Sequence, residues 1–222
     1  MRQIILNFHG IGNPGRPLET GEAPYWISAD QFFDILDLVA GLTGRVAVGF
    51  TFDDGNLSDI AIGAEGLARH GFSAEFFVLA GRIGQSGSLG ADDIRDLQAA
   101  GHSIGLHGAD HVDWRKLDSD GARREYDWAR SMIAEITGAN IDSAAIPFGN
   151  YDRKVITDLR QRGFKRVYSS DAGTWRSGQY PIPRTSVRGD MSMADLEAVV
   201  LNTPPLYRRL RRRAGMIKKR WL

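Results

Sequence analysis

The 222-residue sequence has no cysteine, which excludes a disulfide framework and any thiolate metal site. No apolar run approaches the roughly 20 residues of a membrane span. No basic stretch with a following apolar run precedes Ile4-Ile5-Leu6-Asn7-Phe8, where a strand pattern begins at once. A cytoplasmic location is therefore expected. Histidine is scarce: there are five, and none lies beyond His111. Acid is missing from the end of the chain. Leu206 to Leu222 carries eight Lys or Arg and no Asp or Glu, leaving twenty basic against twenty-seven acidic residues in the rest. The net charge of +1 thus hides an acidic body and a basic tail. Such a body does not suit nucleic-acid binding. The length fits one large domain, a size that α/β barrels often reach undivided.

What is present centres on Thr51-Phe52-Asp53-Asp54-Gly55. It ends Arg45-Val46-Ala47-Val48-Gly49-Phe50, a run short and apolar enough for a buried strand. Two adjacent buried carboxylates are costly unless a cation or a shared proton relieves them. A cation site is suggested by His107-Gly108-Ala109-Asp110-His111. On a helical turn, histidines four apart share a face and a metal can bridge them. Two histidines and one carboxylate suit a catalytic site with three protein ligands and a position for water. The second Asp is then free as a base. His102 and His70 read as structural, the latter at a helix C-terminus.

Strand-like and helix-like segments alternate along the chain. Strands are expected at about 3–9, 45–52, 73–80, 102–107, 144–148, 165–169 and 182–187. Helices fall between them, one opened by a capping box at Ser28–Gln31 and a long one over about 118–137. The loop 10–27 is long enough to be functional. Polar residues collect where strands end: His9, Asp53, Asp54, His107, the Pro147-Phe148-Gly149 turn and Asp171. Their spread over many strands favours a distorted (β/α) barrel of about seven parallel strands, with its site at the C-terminal face. Residues 1–205 form the expected barrel and 206–222 a separate basic tail.

In order, Thr51-Phe52-Asp53-Asp54-Gly55, then Gly71 with Ala74-Glu75-Phe76-Phe77-Val78, then Gly101-His102-Ser103-Ile104-Gly105-Leu106-His107 with His111, then Pro147-Phe148-Gly149 resemble the polysaccharide deacetylases. The resemblance runs from about Gln3 to Arg184. It implies a divalent metal, usually zinc, held by Asp54, His107 and His111, with Asp53 as general base. It also implies an oxyanion held in part by the Phe148 N–H, and removal of acetyl from an N-acetylated sugar or glycan.

Three departures stand out. The family's base-orienting Arg position is Ala145 here, and Arg184 in the seventh strand is the candidate replacement, against a plain surface reading. Where the family usually has a hydroxyl residue after the first metal His, this sequence has Gly108. The late His that serves as general acid is absent, so His9 is the candidate proton donor, against a structural reading. Without that His the role of Asp171 is open. Tyr25, Trp26 and Trp175 are expected on the active-site side, as sugar contacts or as packing. The tail reads either as a solvated end or as a basic amphipathic segment on an anionic membrane. Two rival functions share this chemistry: hydrolysis of another non-peptide C–N amide, and a silent glycan-binding homologue.

Overall fold

The computed structural model describes residues 3–201. The basic tail at 206–222, with both readings of it, lies outside the described residues. Short apolar runs become central strands and the amphipathic segments between them become outer helices, as burial of both sheet faces requires. Strands β1 (Gln3–Phe8), β2 (Ala47–Phe52), β3 (Ala74–Val78), β4 (Ser103–Leu106), β5 (Ser143–Ala145) and β6 (Arg166–Ser169) run parallel, neighbour beside neighbour. A short strand β7 (Thr174–Trp175) lies antiparallel to the start of β1, with Trp175 opposite Gln3.

The seventh parallel position is one extended segment that changes partner midway. Its first half, β8 (Ile182–Pro183), pairs with β6; its second half, β9 (Thr185–Ser186), pairs with β1. The segment therefore bridges the two edges, giving a nearly closed, mostly parallel barrel. Arg184 sits at the joint. Its N–H donates to the Ser169 carbonyl at 2.9 Å and its carbonyl accepts from the Ala172 N–H at 2.8 Å.

Alternation along the strands separates two cores. Ile4, Leu6, Phe8, Phe50, Phe52, Phe76, Val78 and Leu106 face outward and pack under the helices. Ile5, Phe77, Ala145, Tyr168 and Ile182 fill the barrel interior. The helices are α1 (Ala29–Gly41), α2 (Glu65–Arg69), α3 (Ala91–Ala99), α4 (Ser119–Ala122), α5 (Ala129–Thr137), α6 (Arg153–Gln161) and α7 (Met193–Val200). π-helical stretches, Asp59–Ala64 and Arg123–Trp128, lead into α2 and join α4 to α5. Only half of the expected capping box at α1 forms. Ser28 Oγ accepts from the Gln31 N–H at 3.0 Å, but the Gln31 side chain reaches the carbonyls of Arg188 and Met191 instead. No helix among the described residues is long and apolar enough to cross a membrane.

Candidate metal centre and active site

The C-terminal ends of the strands open on a cleft of about 290 Å³. Strand β2 delivers Asp53 and Asp54 to its floor, each 2% exposed. The backbone turns sharply there, with φ of 77° at Asp54 and 67° at Gly55. That left-handed turn aims the neighbouring carboxylates differently, and their environments differ as much as their directions.

Asp53 points into the barrel and is fully engaged. Arg184, itself completely buried, donates to both its oxygens at 2.7 Å. Asn7 Nδ2 adds a third bond to Asp53 Oδ2 at 2.9 Å. Asn7 Oδ1 in turn accepts from Thr51 Oγ1 at 2.7 Å and from Arg184 at 2.9 Å. The surface reading of Arg184 is therefore wrong. Burial works to raise the Asp53 pKa, but the Arg184 and His107 charges outweigh it and hold the carboxyl below its usual range. Asn7 went unnoticed in the sequence, although it shares strand parity with inward-facing Ile5.

Asp54 has the opposite condition. Its Oδ1 is buried without a hydrogen-bond partner. His107 Nε2 lies 3.3 Å away and His111 Nε2 3.6 Å away. One donor atom from each residue falls within 4.8 Å of the other two. Burial opposes ionisation of Asp54, yet the adjacent His107, then His111 and His9, carry its pKa far down. His107 moves the other way: burial lowers its pKa, and Asp53 and Asp54 more than reverse that.

Both imidazoles are held by the nitrogen turned away from Asp54. His107 Nδ1 donates to the Ala145 carbonyl at 2.9 Å, and His111 Nδ1 bonds Glu19 Oε2 at 2.7 Å. An orphaned buried carboxylate oxygen, with two Nε2 atoms presented beside it, fits a divalent metal with one oxygen and two nitrogen protein ligands.

The segment carrying the histidines is not helical, contrary to the shared-face expectation. It turns at Gly108, φ 97°, and His111 itself has φ 54°. A Cβ at Gly108 would stand 2.3 Å from Glu125 Oε2. That buried carboxylate accepts from the Ala109 N–H (3.0 Å), the Asp110 N–H (2.9 Å) and Trp114 Nε1 (3.1 Å). Glu125 thus shapes the loop from the neighbouring π-helical stretch, and glycine leaves room for it.

Around this centre, His9 Nε2 lies 4.0 Å from Asp53 Oδ2. Burial lowers the His9 pKa against the pull of Asp54 and Asp53. Phe148 stands at the cleft wall with φ 59°; the residue is 55% exposed and its ring lies 4.3 Å from the His111 ring. Tyr25 also lines the cleft, 4.9 Å from the His9 ring. Trp26 does not line it; its indole packs over Gly10 and donates to Glu22 at 3.1 Å. Trp175 is at the wrong end of the barrel for a substrate contact, because β7 pairs with the start of β1 and packs Trp175 on the interior cluster. Asp171 accepts from Tyr151 at 2.6 Å and Ser169 at 2.8 Å. His102 is structural, 6% exposed, with Nδ1 accepting the Ala74 N–H at 3.3 Å. His70 bonds Asp37 and the Gly66 carbonyl, both at 2.8 Å.

A nearly closed (β/α) barrel with an Asp–His–His cluster and an Arg-held carboxylate at its C-terminal face defines a class of barrel proteins that carry metal-ligating side chains at their strand ends. Within that class the chain belongs to the polysaccharide deacetylase family, whose model matches residues 41–167, more than half of the sequence. Family members depend on a divalent metal in general. A relative is YxkH of Bacillus subtilis, assigned to the polysaccharide deacetylases, 22% identical over 144 residues. Those residues are 64% of this chain and 52% of the relative, so the match spans about half of that protein's length. Among solved structures, BA0330 of Bacillus anthracis is 18% identical with a TM-score of 0.77, covering 90% of this chain and 69% of that one. IcaB from Ammonifex degensii is 24% identical with a TM-score of 0.75, covering 90% and 97%. Streptococcus pyogenes deacetylase PplD, solved with acetate, is 19% identical with a TM-score of 0.76, covering 90% and 98%. At these identities the structures speak for the fold.

Proposed function

We propose that the protein is a metal-dependent hydrolase that removes acetyl from an N-acetylated sugar or glycan. The observation that carries this reading is the adjacent pair of carboxylates in opposite states. One is held by Arg184 and Asn7 and lines the cleft; the other is orphaned beside two imidazole nitrogens. Asp54, His107 and His111 would hold the metal, and one carboxylate with two imidazoles suits Zn²⁺. Such an ion, when bound, polarises the amide carbonyl and lowers the pKa of water.

The chain's own groups supply the rest. Asp53, kept ionised and aimed by Arg184, takes a proton from the attacking water. The water oxygen bonds to the acetyl carbon, and the oxyanion that develops meets the Phe148 N–H. The C–N bond then breaks to acetate and a free amine, which needs one proton. His9 rests neutral at pH 7 because burial depresses it. It can donate only after receiving a proton, and because Asp53 Oδ2 lies 4.0 Å away the one captured by Asp53 has to pass through a bridging water. Tyr25 and Phe148 offer apolar ring faces to a sugar at the cleft wall.

The test is metal content with acetate release from short N-acetylglucosamine oligomers, on chelated and metal-restored protein. One metal per chain with metal-dependent acetate release is expected. Metal without acetate, but with another carboxylate or ammonia released from a panel of amides, would move the reading to a different C–N bond. Sugar binding without any turnover would make the protein a silent homologue. Asp53→Asn should keep the metal and lose at least about 100-fold in turnover, the lower end of what a positioned base contributes. Unchanged turnover would remove Asp53 from the role.

A further inference from the structure

We propose that Glu19, on the long loop between β1 and α1, is a positioning residue that sets the tautomer and orientation of His111. The inference rests on the metal-site reading above. His107 and His111 both face Asp54 with Nε2, but their far sides are secured differently. His107 is 2% exposed, and its Nδ1 is fixed by a main-chain carbonyl inside the barrel. His111 rests on a loop with a left-handed backbone and has no such carbonyl; its Nδ1 meets the Glu19 carboxylate at 2.7 Å. Ring geometry puts Nδ1 and Nε2 on opposite flanks of the imidazole. Glu19 therefore cannot share the ion that Nε2 faces, and it acts through His111. A carboxylate accepting from Nδ1–H leaves Nε2 as the unprotonated, metal-binding nitrogen.

The loop is built to hold Glu19 there. Its second oxygen is ion-paired with Arg82, which approaches from beyond β3. Its own N–H donates to Glu22 Oε2 at 2.7 Å. Glu22 is clamped by Arg16 and by Trp26 Nε1. Arg16 Nε continues to Asn56 Oδ1 at 3.1 Å, and Asn56 Nδ2 closes on the His9 carbonyl at 3.1 Å. A chain of polar contacts thus ties the loop to the ends of β1 and β2, beside the two aspartates. The Glu19 side chain is 42% exposed and lines the cleft, so its removal opens no core.

The experiment measures zinc affinity by chelator competition on the unaltered chain and on Glu19→Ala and Glu19→Gln, with apo-protein melting in parallel. Glu19→Ala should bind zinc about 10–100-fold more weakly. Glu19→Gln, which can still accept from Nδ1–H without the charge, should recover part of that loss. Apo melting should be unchanged, and saturating zinc should restore kcat in both variants. A zinc affinity within twofold of wild type in Glu19→Ala would overturn the proposal. So would a kcat that stays low at saturating zinc, which would make Glu19 act on substrate instead. A wild-type protein that binds no zinc would sink the metal-site reading itself, and this proposal with it.

Discussion

The barrel buries carboxylates at both ends, and they differ in how fully they are partnered. At the C-terminal end, Asp53 and Asp54 share a turn with Arg184, Asn7 and two histidines beneath an open cleft. At the N-terminal end, Glu75 accepts from Tyr168 Oη at 2.7 Å and from Arg166 at 3.2 Å, and Trp175 packs onto the same interior cluster. Both ends set an arginine against a carboxylate. The difference is satisfaction: the Glu75 carboxylate is hydrogen-bonded at the N-terminal, lower end, whereas at the C-terminal, upper end Asp54 Oδ1 lacks a close hydrogen-bond partner beside two imidazole Nε2 atoms. A buried ion pair alone is weak grounds for function. A buried pair with an orphan beside it is stronger, because an unrelieved buried charge is costly and the fold keeps it.

The comparison breaks most sharply at Arg184. Arg184→Met removes both bonds from Asp53 and strands a buried charge at the barrel joint. The expected loss is about 3–5 kcal/mol in denaturant unfolding at pH 7, with turnover lost in whatever folded protein remains. The pH dependence has a definite sign. The folded-state pKa of Asp53 lies below its unfolded value, so its ionic contribution is present above about pH 4 and fades as pH falls through the folded pKa. The gap between wild type and Arg184→Met should therefore shrink as pH falls, first as the stranded Asp53 of the variant takes up a proton above about pH 4 and then as wild type loses its ion pair below it. A gap that is constant with pH would show that Arg184 stabilises by packing against Phe77 and Tyr168 rather than by pairing with Asp53.

At the lower cluster the same kind of change should be mild. Glu75→Gln keeps an acceptor for Tyr168 Oη, and Arg166 retains Asp142 at 3.3 Å. About 1 kcal/mol of stability should be lost, with zinc affinity and turnover within twofold of wild type. If either falls tenfold, the two ends of the barrel are coupled and the contrast drawn between them is wrong.

How much of this was legible beforehand follows from contact range. The strands and their number could be read because each rests on a local pattern, an apolar run closed by a turn. The choice of Asp54 with His107 and His111 came from the resemblance to the deacetylases, since the helical spacing expected of the two histidines is not what the loop adopts. Arg184 could be placed in the last strand, but only the change of partner at the joint brings it under Asp53, 131 residues away in sequence. Glu19 and Glu125 were invisible for the same reason. One reaches His111 across 92 residues, and the other fills the space that Gly108 leaves open. Loop carboxylates carry no periodic signal, and their partners are decided by chain paths rather than by neighbours. Trp175 was misplaced because a polar, glycine-containing stretch gives no sign of which end of the sheet it returns to.

The smallest expected effect concerns a third carboxyl near the aspartate pair. Asp59, in the π-helical stretch after β2, is completely buried, and burial together with the Asp54 charge pushes its pKa well above the ordinary value. An acid whose folded pKa is raised binds more protons folded than unfolded. It therefore costs stability as pH rises above the unfolded value of about 4. Asp59→Asn keeps the shape and removes that cost. The variant should match wild-type apo stability near pH 4 and exceed it increasingly toward pH 7, with zinc affinity unchanged, since Asp59 is outside the ligand cluster. A variant less stable than wild type at pH 7 would mean that the Asp59 carboxylate has a role in the fold that burial does not describe. A weaker zinc affinity would mean that the acidic charge around the centre reaches past Asp53 and Asp54, so that Asp59 belongs with the upper cluster.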